Sequence, residues 1–181
     1  MEVFSAAPGS KLFWVQPRAL EREFELRSEC GLCGRLRFEK ALGTLATADS
    51  AQGRWTLKRS GFLNPRVTIR KSGRYADVAV FWPKLWGGGW VDFADGNRFQ
   101  WKSFNFWGTA WGFAGVREEL LFTMKPGAEK TKLSDLLKTQ AVVEIVTHPD
   151  GLAEMPLLIM LGWYLMIMQQ EYSATAAAVI S

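Results

Sequence analysis

The sequence predicts a mostly β protein, a roughly twelve-stranded antiparallel barrel closed around one hydrophobic C-terminal helix. Three observations carry that prediction. From Leu12 to Thr147 the chain alternates apolar and polar residues in short runs, the period of a half-buried strand. Gly, Pro, Asn and Asp punctuate the runs, as turn chemistry requires. From Met155 to Met168 the sequence is unbroken apolar, Met-Pro-Leu-Leu-Ile-Met-Leu-Gly-Trp-Tyr-Leu-Met-Ile-Met.

The strands follow in order. Leu12–Gln16, Arg22–Ser28 and Leu32–Phe38 alternate around Trp14, Leu26 and Leu36. Thr44–Ala48, Arg54–Arg59 and Arg66–Lys71 come next, the last two joined through Ser60-Gly61-Phe62-Leu63-Asn64-Pro65. Tyr75–Trp82 follows the turn Ser72-Gly73-Arg74. Gly87-Gly88-Gly89 is too permissive for a strand interior and reads as a loop before Trp90–Phe93. Asp95-Gly96-Asn97 tolerates positive φ and predicts a hairpin into Arg98–Phe104. Thr109–Phe113, Glu119–Met124 and Ala141–Thr147 complete the set, with a short helix expected near Leu133–Leu137.

The last segment is a helix, with Pro156 in its first turn and Glu154 at its positive end. It is apolar on every side and must be buried on every side. Its fourteen residues rise about 21 Å, short of a hydrocarbon core of about 30 Å, and no Lys or Arg follows as an anchor. A barrel of about twelve strands is wide enough to hold it. The expected organisation is one domain over 12–172 with a core helix at 154–171, and flexible tails at 1–11 and 173–181.

Composition agrees with a globular domain. The 181 residues are 48% hydrophobic and 22% charged, with only two Cys, which excludes a disordered chain and a disulfide-stapled mini-protein. The start, Met1-Glu2-Val3-Phe4-Ser5, has no basic n-region and no apolar core, so a secretory signal is not expected. A cytoplasmic location with reduced thiols follows as the expectation. Most of the nine Trp are expected to line the β core.

Catalytic and metal motifs find little support. Cys30-Gly31-Leu32-Cys33 is a single Cys pair; a structural zinc site needs four ligands, and His148 is the one His. With Leu36 and Phe38 inward, Cys33 is expected to face out. His148 lies beside the turn Pro149-Asp150-Gly151, and no Gly-x-Ser-x-Gly elbow exists. The Gly87–Gly89 run lacks the Gly-Lys-Ser/Thr of a phosphate loop. No cofactor is expected.

The basic residues are the most usable feature. In Arg54–Lys58, Trp55 and Leu57 alternate with Arg54 and Lys58; in Arg66–Arg70, Val67 and Ile69 alternate with Arg66 and Arg70. If the apolar sets face the helix, four basic side chains point out of one hairpin, with Lys71 at its end. Arg98 and Lys102 project in the same way from the strand carrying Phe99 and Trp101. Over the whole chain, 22 Lys and Arg against 18 Asp and Glu give a mild net charge of +4. Aromatics pointing away from the basic residues argue against a nucleic-acid groove.

This layout resembles the tubby-like barrel superfamily, nearest to the LURP-one-related proteins and their small bacterial tubby C-terminal-like and phospholipid scramblase-like relatives. The residues carrying the resemblance are Gly53-Arg54-Trp55-Thr56-Leu57-Lys58-Arg59-Ser60-Gly61, Arg66-Val67-Thr68-Ile69-Arg70, Asp95-Gly96-Asn97-Arg98-Phe99-Gln100-Trp101-Lys102 and Pro156-Leu157-Leu158 with Leu161-Gly162-Trp163-Tyr164. The resemblance covers nearly the whole chain and implies a twelve-stranded barrel threaded by its own helix. It also implies phosphoinositide or membrane contact through exterior basic residues. The chain lacks the tubby C-terminal signature and the Cys- and Pro-rich scramblase N-terminal region, and His148–Glu154 does not match the acidic calcium segment. No functional residue transfers position by position.

The expected function is a non-enzymatic binding module. It would dock on an anionic membrane surface, or another phosphate-bearing partner, through Arg54, Lys58, Arg66, Arg70, Lys71, Arg98 and Lys102. The alternatives are a ligand-free scaffold and a tail-anchored protein with 155–168 inserted in a membrane.

Overall fold

Twelve strands form where the alternation puts them. In the computed structural model they are β1 (Lys11–Val15), β2 (Glu23–Arg27), β3 (Leu32–Phe38), β4 (Leu45–Ser50), β5 (Gly53–Ser60) and β6 (Arg66–Lys71), followed by β7 (Asp77–Pro83), β8 (Gly89–Phe93), β9 (Arg98–Ser103), β10 (Trp111–Ala114), β11 (Leu120–Pro126) and β12 (Ala141–Ile145). Among the described residues one helix, α1 (Met155–Ile180), follows the strands. The structure describes residues 1–3, 7–85, 87–105, 107–127, 140–147 and 152–180, with side chains through 173. The expected helix near Leu133–Leu137, together with His148 and Trp86, lies outside the described residues.

Each strand pairs antiparallel with its sequence neighbour, and β12 closes on β1 from Lys11↔Glu144 to Trp14↔Ala141. Closure leaves no sheet edge for another strand to join. Inward positions are apolar on strand after strand: Leu12 and Trp14, Phe24 and Leu26, Leu57, Val67 and Ile69, Phe81, Val91, Phe113. The turns behave as their residues require. Gly96 has φ 95° and the Phe93 N–H donates to the Asn97 carbonyl at 2.8 Å.

The helix fills the barrel. Of its residues from Met155 to Met168, only Leu165 is not fully buried. A helix of this composition finds no polar face to turn outward, so strands surround it. Among the described residues no helix is long and apolar enough to cross a membrane. Close approach is bought with glycine: a Cβ on Gly162 would lie 3.0 Å from the Trp101 ring, and one on Gly34 would collide with the Met160 methyl. Trp14 and Trp163 stack with centroids 5.6 Å apart, and Phe24 meets Trp163 edge-on at 5.6 Å.

Both ends of the buried stretch of the helix are tied. At its start the Asn97 amide donates to the Glu154 carboxylate. Where the buried stretch ends, Arg22 pairs with Glu171 at 2.7 Å and donates to the Lys40 and Gly43 carbonyls, its guanidinium lying 3.8 Å over the Phe38 ring. Between them the Tyr164 hydroxyl donates to the Thr44 carbonyl at 2.6 Å and accepts the Arg59 N–H at 3.1 Å. Burial pushes the Tyr164 phenol well above its ordinary value. Tyr164→Phe leaves two half-buried backbone groups without this partner and should cost about 1–3 kcal/mol in a urea melt. The raised pKa means the unfolded chain loses this proton first, so wild-type stability should fall above about pH 10. The variant should lose that part of the pH dependence.

Three expectations need correction. Cys33 is fully buried rather than outward, because the pairing slips between Leu26↔Gly34 and Arg27↔Leu32 and inserts it as an extra residue. A bulge reverses the inside–outside parity that alternation assumes. Cys30 is exposed and both thiols are free. The helix does not stop at Glu171 but runs on to Ile180. The segment before β1 is held as well: the Glu2 N–H donates to the Leu32 carbonyl at 2.9 Å and the Gly9 N–H to the Ile145 carbonyl at 2.8 Å.

Candidate anion-binding face

Strand alternation places the hairpin β5–β6 with Trp55, Leu57, Val67 and Ile69 inward and Arg54, Lys58, Arg66 and Arg70 exposed outward. Lys58 stands opposite Thr68, Thr56 opposite Arg70, and Ser60 opposite Arg66. On the outside these residues, with Leu45 and Asp77, wall a groove of about 270 Å³. Hydroxyls and cations thus alternate across two strands, a donor-rich surface suited to phosphate oxygens.

The seven predicted residues divide by their partners. Arg54 pairs with Asp49, Arg70 with Asp77 at 2.6 Å, and Arg98 with both oxygens of Asp92. The hydrogen bond from Arg98 holds the Asp92 carboxyl below its usual range, and Arg98 is raised in return. Lys102 comes within 3.8 Å of Glu118. Among the described residues, Lys58, Arg66 and Lys71 have no carboxylate in salt-bridge range. Three of the outward arginines are therefore engaged with their own protein. The sequence held a usable signal for two of them, since Asp49 stands opposite Arg54 and Asp92 opposite Arg98 across neighbouring strands.

The tryptophans also depart from expectation. Trp14, Trp55, Trp101 and Trp163 are in the core, but Trp82 and Trp90 are only half-buried and Trp107 is exposed. Phe81 points in, so Trp82 points out, directly opposite Trp90. Cations lie against both: Arg66 at 5.9 Å from the Trp82 ring, and Lys84 and Arg98 each at 5.4 Å from the Trp90 ring. Basic and aromatic groups do share this face, contrary to the expected separation. The reason is that β7 and β8 carry a large aromatic at both parities, and only one parity faces the helix.

At one end of the barrel, beside α1, lies a second cavity of about 360 Å³. Val67, Phe81, Trp101, Leu165 and Met168 give it apolar walls, and Arg59, Arg66 and Lys84 add charge. Arg59 lies 4.3 Å over the Tyr172 ring at the same opening. Arg66 borders both this cavity and the outer groove. Among the described residues no group of three His, Cys, Asp or Glu side chains is placed to hold a metal ion.

The fold has a solved counterpart. An X-ray structure of a protein from Arabidopsis thaliana aligns with a TM-score of 0.50 at 11% identity, over 88% of this chain and 96% of the other. That similarity shows the fold alone. No family model and no curated protein matches the sequence.

Proposed function

We propose that the protein is a non-enzymatic module that docks on anionic phospholipid through its exterior basic face. The observation that carries this reading is the outer groove, where Lys58 and Arg66, without carboxylate partners among the described residues, face the same space as the Thr56, Ser60 and Thr68 hydroxyls. The resemblance to tubby-like barrels supports the same chemistry. Each basic side chain near an anionic surface adds about 1 kcal/mol, so binding should be weak and should fade as salt rises.

Co-sedimentation with phosphatidylcholine vesicles, with and without phosphatidylserine, tests the reading. The protein should pellet only with the anionic vesicles and be released by salt. Lys58→Glu with Arg66→Glu should weaken binding about 30-fold or more, since two attractive charges of about 1 kcal/mol each are lost and replaced by repulsion. Arg54→Gln should weaken binding less than either glutamate change, because Asp49 holds that guanidinium away from a headgroup. No binding to any vesicle would overturn the reading and favour a ligand-free scaffold.

A further inference from the structure

In an up-and-down antiparallel barrel, the loops that follow odd-numbered strands gather at one end and those that follow even-numbered strands at the other. The two ends of this barrel differ in chemistry. At the end reached by β1, β3, β5, β7 and β9, each following loop projects a large apolar side chain: Leu20, Leu42, Phe62 with Leu63, Leu85 and Trp107, all between 82% and 100% exposed. Five separate loops exposing one or two apolar tips apiece is not the scatter of single surface hydrophobics that needs no explanation. The described loops of the opposite end expose Tyr75 and, less fully, Val116 and Val146 at 66% and 40%, with Met1 and Val3 beside the start of β3.

Charge follows the same axis. The loops with the apolar tips carry Arg18, Arg22, Lys40 and Lys84 against Glu21 and Glu39, with Glu171 of α1 paired to Arg22 at the same end. The loops of the opposite end carry Glu29, Asp95, Glu118 and Glu119 against Arg74 and Arg117. Just behind the apolar tips stand Trp82 and Trp90 with Arg66 and Lys84 against their rings. Apolar tips backed by half-buried indoles and cations reproduce the layering of a membrane interface, where amphipathic rings and basic groups sit at headgroup depth. The helix α1 leaves the barrel through this same end, as its contacts to Arg22 and Arg59 show. The helix runs on to Ile180, and residues 174–180 contain no charged residue in sequence.

We propose that this end is a membrane-docking surface, and that the barrel stands end-on upon an anionic bilayer with its loop tips inserted among the lipid chains. The occupant is lipid rather than protein because the tips stand on separate loops around an opening, each free to enter between headgroups, and because the surrounding charge is complementary to an anionic leaflet. The proposal rests on the phospholipid reading above and assigns its geometry. Lys58 and Arg66, on the flank near the tips, then meet headgroups from the side. The ion-paired Arg54, Arg70 and Arg98 stand away from the lipid.

The test uses the full chain with Cys30→Ser, which removes the exposed thiol. Two derivatives are labelled with a polarity-sensitive dye, one at Leu42→Cys and one at Tyr75→Cys on the opposite end. With phosphatidylserine-containing vesicles the dye at position 42 should shift to the blue and the dye at 75 should not. Leu42→Ser with Phe62→Ser and Leu85→Ser should weaken vesicle binding by about tenfold per tip removed, with an unchanged thermal melt. Co-sedimentation without a shift at 42, or with a shift at 75, overturns the end-on geometry while leaving lipid binding intact. Failure to co-sediment at all overturns the lipid reading itself. Self-association without lipid that the triple variant abolishes would assign the tips to a second copy of the chain, and would also overturn the proposal.

Discussion

A chain cut after Gly151 should not fold. The cut removes α1, and with it Leu158, Ile159, Met160, Leu161, Trp163 and Tyr164, each fully buried. Every such side chain contributes about 1.5–3 kcal/mol by its removal from water, whereas a whole domain is stable by only about 5–15 kcal/mol. The strands have no substitute for that surface. Their inward residues, among them Leu57, Ile69 and Phe113, would line an open channel and meet water or collapse on one another. The expected observation is a truncated product that is insoluble, or soluble without a cooperative urea transition. Circular dichroism and a urea melt on the truncated chain make the check. A truncated protein that stays soluble with a sharp transition near that of the full chain would show that α1 is not the core of the fold. A single charge should report the same dependence: Leu161→Asp buries a carboxylate with no partner at the barrel axis and should also abolish folding.

Much of this architecture can be read from the order of residues because a barrel of neighbouring hairpins needs only local information. Alternation over a few residues fixes which side of each strand faces in, and Asp95-Gly96-Asn97 or Ser72-Gly73-Arg74 fixes where it reverses. The all-apolar helix then has one place to go. The failures arise where a single residue changes parity or where a partner lies on another strand. Cys33 was expected to face out because no pattern in Leu32–Phe38 announces a bulge; the slip appears only in the pairing with β2. Residues 1–11 give no periodic signal, yet the Glu2 backbone pairs with Leu32. The basic face was legible as a set of outward side chains but not as a set of free charges. Asp77 lies across a bulge from Arg70, so its partnership cannot be counted off along the strands. The grouping of Leu20, Leu42, Phe62, Leu85 and Trp107 at one end depends on closure of the barrel. In the sequence they are five unrelated loop residues.

Among truncations of core side chains to alanine, the largest loss should come at Trp163. Its ring stacks on Trp14 at 5.6 Å and 7° and receives Phe24 edge-on, so three aromatic rings from β1, β2 and α1 meet at this point. Trp163→Ala removes the contact that ties the helix to two strands at once and leaves a void too large for the neighbours to fill. A loss of about 3–5 kcal/mol is expected, enough to unfold a domain at the lower end of ordinary stability. The indole has a liability that sets a contrast. Neither the Trp163 nor the Trp14 Nε1–H has an acceptor among the described residues, and a buried donor without a partner costs about 1–3 kcal/mol. Trp163→Phe gives up part of the ring but also deletes one stranded donor, and it keeps an aromatic face against Trp14. It should therefore lose far less than the alanine variant. Urea melts of the two variants decide the matter through their difference. If phenylalanine costs as much as alanine, the stack contributes through the full indole shape and the stranded donor carries little weight. If phenylalanine is close to wild type while alanine unfolds, the packing of three rings holds the helix in register and the N–H groups are tolerated at a cost the rest of the core offsets.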